Sequence, residues 1–371
     1  MFEEQKRQLN LLLRGIAELL DIPDSKYEEA VRRYEAVGKW LDADDSPLHI
    51  YRPTIYPQGS FRLGTMIKPI NDGDEYDIDL VCHLEIDKKN VTQEQLKQMV
   101  GDRLKESETY KKILDECRRC WTLNYANEFH MDILPAIPDY EKLNDAILVT
   151  DKKLRNWQHS NPKGYARWFA ERMKVIFQQR RIALAESMKA NVETVPDYKV
   201  RTPLQKAVQI LKWHRDVYFK NKDNKPISII ITTLAAQSYK NEADIFDAIT
   251  NIVNIISDVK HLKNAGSSYY IPNPVNPDEN FADKWNENPA LPLAFFKWLE
   301  QLKVDFGTAS SQRDIYKIAE SLSTAFGKDI VERSLEKYAS SVKPAKTYPE
   351  VAFSAKPNKP WAMWHEYRAI K

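Results

Sequence analysis

The stretch Glu75–Val81 reads EYDIDLV. Alternation along a strand sends Tyr76, Ile78 and Leu80 to one face and Glu75, Asp77 and Asp79 to the other. Asp77 and Asp79 then lie roughly 7 Å apart, at about 3.3 Å per residue. Two such carboxylates repel unless a cation lies between them, and hard oxygen ligands suit magnesium. A solvated polar outer face is the simpler account of an isolated D-x-D. A second apolar stretch, FHMDILPAI, sets Phe129, Met131 and Ile133 against His130, Asp132 and Leu134. A carboxylate in the middle of such a strand is costly without a partner. If the two strands are neighbours, Asp77, Asp79 and Asp132 form a three-carboxylate cage. Such a cage suits a two-metal phosphoryl-transfer centre holding two Mg2+ ions, or Mn2+.

Shortly before the D-x-D stands QGSFRLGT, Gln58 to Thr65, which holds two of the chain's ten glycines. Without a Cβ, Gly59 lets its backbone and that of Ser60 approach a phosphate closely, and the Ser60 hydroxyl adds a donor. A helix beginning within FRLGT would add the positive potential of its N-terminus. A Gly-Ser pair alone carries little information, because many turns contain one. Its place before a D-x-D and a later strand-borne Asp is specific.

The elements that must hold these residues divide into two textures. From about residue 45 to 150 the chain reads as mixed helix and strand, with YDIDLVCHLEI and EFHMDILPAI as strands around a helical TQEQLKQMVGDRLKES. From about residue 160 it reads as helical. TPLQKAVQILKWHRDVYF has Thr202 as N-cap, Pro203 at the first helical position, and Leu204, Ala207, Val208 and Leu211 at helical spacing. Ser25 with Glu28 reads as a capping box opening KYEEAVRRYEAVGKWL. The proline-rich IPNPVNPDEN, Ile271 to Asn280, reads as a loop at a surface or cleft.

Composition narrows the class. The 371 residues are 43% hydrophobic and 29% charged, with a net charge of +2, which fits a globular protein and not a general nucleic-acid coat. The acidic, polar opening MFEEQKRQLN is unlike a secretory signal, and the most apolar run, Ile227 to Ala236, falls short of the roughly 20 residues that span a bilayer. A cytoplasmic protein without membrane contact is expected. Cys117 and Cys120 form one C-x-x-C, and neither Cys82 nor the histidines supply a second pair at zinc spacing, so ordinary reduced cysteines near an element end are expected.

YPQGSFRLGTMIKP, DEYDIDLV, HMDILPAIPD and the late NPVNPDENFADKW together resemble the polymerase-β-like nucleotidyltransferases, and among them the bacterial cGAS/DncV-like enzymes. The resemblance covers roughly residues 45 to 300. It implies an α+β fold, with a nucleotidyltransferase lobe of mixed sheet and a helical lobe enclosing the active site between them. On this reading residues 1–160 are the nucleotidyltransferase core with N-terminal helices and residues 161–371 the helical lobe. It further implies synthesis of a cyclic di- or trinucleotide messenger from NTPs, ATP or GTP above all, in anti-phage defence, with a downstream effector sensing the product. By the same resemblance Gly59 and Ser60 cradle phosphates, Asp77 and Asp79 bind metal, and Asp132 helps activate the attacking ribose hydroxyl. Lys212, in ILKWH, resembles a lysine that reaches the donor triphosphate, and Ser228 a serine that assists it. A triphosphate carries about four negative charges, so two magnesium ions and a lysine would balance most of them. A solvated helix lysine and a plain helix N-cap stand as the alternatives for Lys212 and Ser228.

The zinc module of the animal DNA sensor has no counterpart here, so activation by double-stranded DNA is not expected. A terminal nucleotidyltransferase acting on RNA or protein would share the three carboxylates. The basic run Arg167 to Lys189 offers such an enzyme a groove, or is a solvated helix face.

Overall fold

The computed structural model describes residues 3–341, apart from 71–74, 127, 143–144, 151–154, 190, 259–261 and 264–266. Residues 342–371, which the sequence reading assigns to the helical lobe, lie outside the described residues. Two helices come first, α1 (Glu3–Leu20) and α2 (Asp24–Leu41). The sheet region follows as β1 (Thr54–Pro57), α3 (Gly59–Leu63), β2 (Tyr76–His83), α4 (Gln93–Glu106), α5 (Glu108–Lys111), β3 (Leu114–Glu116), β4 (Trp121–Tyr125), β5 (Phe129–Pro138), β6 (Ile147–Val149) and β7 (Gln158–Ser160). Helices α6 (Pro162–Arg172), α7 (Lys174–Met188), α8 (Pro203–Tyr218), α9 (Ser228–Ser238) and α10 (Ile245–Ile256) lead to a hairpin of β8 (Pro272–Asn273) and β9 (Asn276–Asn280). The described chain closes with α11 (Asp283–Glu287), α12 (Ala290–Ser311), α13 (Ile315–Phe326) and α14 (Lys328–Ser341).

The main sheet has the order β1-β2-β5-β4-β3, with β6 beside β5 and β7 beside β6. Strands β2 and β5 run parallel and the remaining pairs antiparallel, so the sheet is mixed. The expected alternation holds: Ile78, Leu80, Phe129, Met131 and Ile133 are fully buried on one face, against Leu96, Val100 and Leu104 of α4. Helix α4 starts with a capping box between Thr92 and Gln95, and α8 with one between Thr202 and Gln205 that has Pro203 in its first turn.

A second core is helical. Leu9, Leu12, Leu13, Ile16 and Leu20 of α1, at helical spacing, bury themselves with residues of α8, α10, α12, α13 and α14. Although α1 precedes the sheet in the chain, it packs in this core, and Ser334 Oγ of α14 donates to the Leu12 carbonyl at 2.9 Å.

Two local expectations fail. Helix α2 starts at Asp24, with extended Pro23 as N-cap and no side-chain capping bond, so Ser25 lies inside the first turn. Glu28 instead accepts a hydrogen bond from the Tyr198 hydroxyl at 2.7 Å. Second, IPNPVNPDEN is a short hairpin and not a plain loop. Asparagine side chains brace it by accepting backbone N–H groups: Asn280 Oδ1 accepts from Ile271 N at 2.8 Å and Asn273 Oδ1 from Val275 N at 3.1 Å. No helix among the described residues is long and apolar enough to cross a membrane.

Candidate active site

The parallel register sets Asp79 directly beside Asp132, and Asp77 beside His130. Asp77, Asp79 and Asp132 each bring a carboxylate oxygen within 4.8 Å of the others. Three hard oxygen donors so placed can bind a metal ion. Burial raises the Asp77 carboxyl above its usual range, and the Asp132 charge adds to it. Asp79 is pushed up to about 6, by burial first and then by Asp77 and Asp132, with Arg119 and Lys212 acting in the opposite sense. A divalent cation would reverse both shifts. Glu75, on the same face by sequence, turns to His130 Nε2 at 3.1 Å and lies outside the triad.

The turn before the D-x-D closes over these carboxylates. Gln58 N donates to the Asp79 carbonyl at 2.9 Å, which extends the β1–β2 ladder to the first residue of the turn. Gly59 has φ +58°, and a Cβ there would stand 2.6 Å from Asp79 Oδ2. Glycine is therefore required twice, for its left-handed backbone and for the room that Asp79 takes. Helix α3 begins at Gly59, before FRLGT, and is a single turn stopped by left-handed Gly64.

Helix α8 faces this segment with a polar stripe. Gln205 Nε2 donates to the Leu63 carbonyl at 2.9 Å, Gln209 Nε2 to Met66 at 2.9 Å, and Lys212 Nζ to Thr65 at 2.9 Å. All three side chains are buried. Lys212 is thus no solvated helix lysine. Burial, then the neighbouring Arg215, pushes its ammonium down to about 8, while Asp216, Asp79 and Asp77 pull it back up. The Thr65 hydroxyl is buried beside this joint and has no hydrogen-bond partner among the described residues.

Ser228 is the first residue of α9 and not its N-cap, which is Ile227. Its hydroxyl oxygen accepts from Arg215 Nη1 at 2.9 Å, one turn along α8 from Lys212. Three arginines of the basic run Arg167 to Lys189 are occupied by backbone carbonyls. Arg172 donates to the carbonyls of Ala236, Gln237 and Tyr239, Arg180 to Ala243, and Arg181 to Val192, Glu193 and Val195. Cys117 and Cys120 are free thiols flanking the β3–β4 turn.

Two neighbours of the triad escape the sequence reading. Thr122, on β4, is paired with Asp132 across the ladder and donates its hydroxyl to Asp132 Oδ1 at 2.5 Å. Arg119, in the turn between Cys117 and Cys120, is close enough to lower the Asp79 carboxyl. Neither carries a motif; only the β4–β5 register brings Thr122 to the site.

Residues 12–172 match the family model of the Second Messenger Oligonucleotide or Dinucleotide Synthetase domain. A c-di-GMP synthase of Roseivirga ehrenbergii is 33% identical over 339 residues, 91% of this chain and 89% of that protein. The cyclic dinucleotide synthase CdnG of Bradyrhizobium diazoefficiens is 24% identical over 352 residues, 89% of this chain and 83% of that protein. The structure of the B. diazoefficiens CD-NTase CdnG in complex with GTP superposes with a TM-score of 0.73 at 23% identity, over 89% of this chain and 99% of that one. The Vibrio cholerae cyclic AMP-GMP synthase DncV, in complex with a linear intermediate, superposes with a TM-score of 0.55 at 16% identity, over 90% of this chain and 93% of that one. These two structures share the fold of a polymerase-β-like lobe joined to helices. The chain belongs to the cGAS/DncV-like nucleotidyltransferases.

Proposed function

We propose that this enzyme joins two NTPs into a cyclic dinucleotide, with GTP as the substrate to test first and cyclic di-GMP as its product. The observation that carries the reading is the Asp77, Asp79 and Asp132 triad gathered under the Gly59–Ser60 turn. The choice of guanine draws on the relatives, one a c-di-GMP synthase and another solved with GTP. Asp77, Asp79 and Asp132 are the residues that would hold Mg2+. Such ions, when bound, make a ribose hydroxyl more acidic and neutralise phosphate charge.

The chain's own groups have distinct tasks. Ser60 and the adjoining backbone N–H groups bind the donor phosphates, and Lys212 supplies positive charge from the helical side, with Ser228 beside it. Asp132 orients the acceptor hydroxyl and receives its proton. The hydroxyl oxygen attacks the α-phosphorus, the phosphoanhydride bond breaks, and pyrophosphate leaves. A second attack, by the free hydroxyl of the linear intermediate on its own α-phosphorus, closes the ring and releases a second pyrophosphate. Proximity favours that closure, because it avoids another bimolecular encounter. In this reading residues 1–160 carry the catalytic lobe, apart from α1, which packs with the helices of the 161–371 lobe, and the product is a messenger in anti-phage defence sensed by a separate effector.

The test incubates the enzyme with GTP, ATP or all four NTPs and magnesium, treats the products with phosphatase and identifies them by mass spectrometry. A phosphatase-resistant cyclic dinucleotide that disappears with EDTA supports the proposal. A ladder of lengthening products, or labelling of added RNA alone, overturns it.

A further inference from the structure

The three carboxylates differ in how they are held. Asp132 Oδ1 receives a hydrogen bond of 2.5 Å from Thr122 Oγ1, a short charge-assisted contact. Thr122 stands directly opposite Asp132 in the β4–β5 ladder and is only 7% exposed, so its hydroxyl has little water to turn to. Its oxygen also contacts Cys117 Sγ at 3.3 Å. The Thr122 hydroxyl gives its single proton to Asp132, and the Cys117 thiol lies on the far side of the Thr122 oxygen.

We propose that Thr122 is a positioning residue for the reaction: it fixes Asp132 Oδ1, so that Oδ2 is presented to the acceptor hydroxyl and to the metal, with Cys117 supporting it from behind. The inference rests on the function proposed above. Asp132 lies in a β-strand, where a carboxylate has more than one accessible rotamer, and a fixed partner for one oxygen removes that freedom. Geometry errors of about 1 Å at a reacting group cost on the order of a hundredfold in rate. Sequence offers no sign of the role, because Thr122 lies ten residues before Asp132 and meets it only through the hairpin.

The test compares Thr122→Val, which keeps shape and loses the hydroxyl, with Thr122→Ser, which keeps the hydroxyl and loses a methyl, and with Cys117→Ala. Thr122→Val is expected to lower kcat by roughly ten- to a hundredfold, with KM for the NTP within about twofold of wild type. Thr122→Ser is expected to recover most of the loss, and Cys117→Ala to cost about twofold. Manganese binding, followed by water-proton relaxation without any nucleotide, supplies a readout independent of turnover. Here Thr122→Val should weaken Mn2+ by roughly three- to tenfold, the scale of one net hydrogen bond, and Thr122→Ser should not. If wild-type protein binds Mn2+ but makes no nucleotide product, the functional reading fails, and the manganese series still decides the role of Thr122. If Thr122→Val matches wild type in both measurements, or if Thr122→Ser is as damaged as Thr122→Val, Thr122 is a packing residue and the proposal is overturned.

Discussion

Two buried polar regions meet at the Gly59–Thr65 segment, and they are built on opposite principles. On the sheet side, Asp77, Asp79 and Asp132 crowd like charges within 4.8 Å, and burial with mutual repulsion raises Asp77 and Asp79. On the helix side, Gln205, Gln209 and Lys212 each donate to a backbone carbonyl that would otherwise be left without a partner. The seam pairs opposite polarities within the protein. The triad, though Thr122 donates to Asp132 and Arg119 and Lys212 ease Asp79, keeps three carboxylates together that a cation from outside would relieve. Strain concentrated on one side of a segment that is firmly tied on the other is what a ligand site needs, because the ligand then meets groups that cannot relax away from it.

The widest separation between the two regions comes from Asp77→Asn with Asp79→Asn. Product formation should be abolished while the metal-free fold grows more stable. The sign follows from the raised carboxyls. In the folded protein Asp79 titrates near 6, against an ordinary value of 3.8, so folding takes up protons in that window and its contribution to stability falls as pH rises through it. At neutral pH the ionised pair is a burden that the amides remove, and the melting temperature should rise by about 2 °C or more. A double variant that melts lower than wild type, or still makes product, would break the comparison. Added Mg2+ at pH 7.5 should stabilise wild type and leave the double variant unmoved.

Lys212 belongs to both regions, since it closes the seam and is counted among the charges that act on Asp79. A charge-assisted contact to phosphate is worth about 1.5–3 kcal/mol, so Lys212→Ala should weaken NTP affinity by roughly ten- to a hundredfold, as calorimetry would read. Burial holds its ammonium near 8, so in the free wild-type enzyme affinity should begin to fall as pH rises past about 8. Unchanged affinity in Lys212→Ala would confine the residue to the seam.

Gly59→Ala is expected to be milder for the fold and still damaging to the site. The left-handed backbone costs a residue with a Cβ about 1–2 kcal/mol, and the added carbon, 2.6 Å from Asp79 Oδ2, displaces that carboxylate. Weakened Mn2+ binding with a melting temperature only a few degrees lower is the expected pattern. Intact metal binding would mean that Asp79 has room the structure does not show.

How much of this was legible in the sequence follows the same division. The triad could be read because strand alternation forces Asp77, Asp79 and Asp132 to the face opposite Ile78, Leu80, Met131 and Ile133, and because an Asp inside an apolar strand is anomalous. Gly59 and the capped start of α8 were legible for similar local reasons. The seam was not. Gln205 and Gln209 look like any glutamines on an amphipathic helix, and their partners are carbonyls, which leave no mark on a sequence. Thr122 was hidden behind a strand register, and the role of Arg172 and Arg181 at helix ends behind long-range packing. Ser25 and Glu28 matched a local pattern, but Pro23 started the helix earlier. The hairpin at Pro272 to Asn280 was obscured because its prolines argue against a strand, while asparagine side-chain oxygens brace it by accepting backbone N–H groups.

The smallest expected effect isolates the seam. Gln209 is fully buried, and its amide donates to the Met66 carbonyl at 2.9 Å and to Asp21 Oδ1 at 3.1 Å. It is the middle rung of the stripe, and neither of these hydrogen bonds goes to Asp77, Asp79 or Asp132. Gln209→Leu keeps the volume and removes both donations, which leaves the Met66 carbonyl buried without a donor. An unsatisfied buried group of that kind costs about 1–3 kcal/mol. One offset is expected, because Gln209 Oε1 is itself buried without a partner among the described residues, and leucine removes that burden. The net change should therefore sit near the lower end of the range, a fall in melting temperature of about 1–2 °C. The sign is opposite to that for the Asp77 and Asp79 double variant, and kcat should change by less than about threefold. If Gln209→Leu were neutral for melting and severe for turnover, the seam would be part of the catalytic apparatus, and the contrast between a supporting seam and a charge-crowded site would have to be given up.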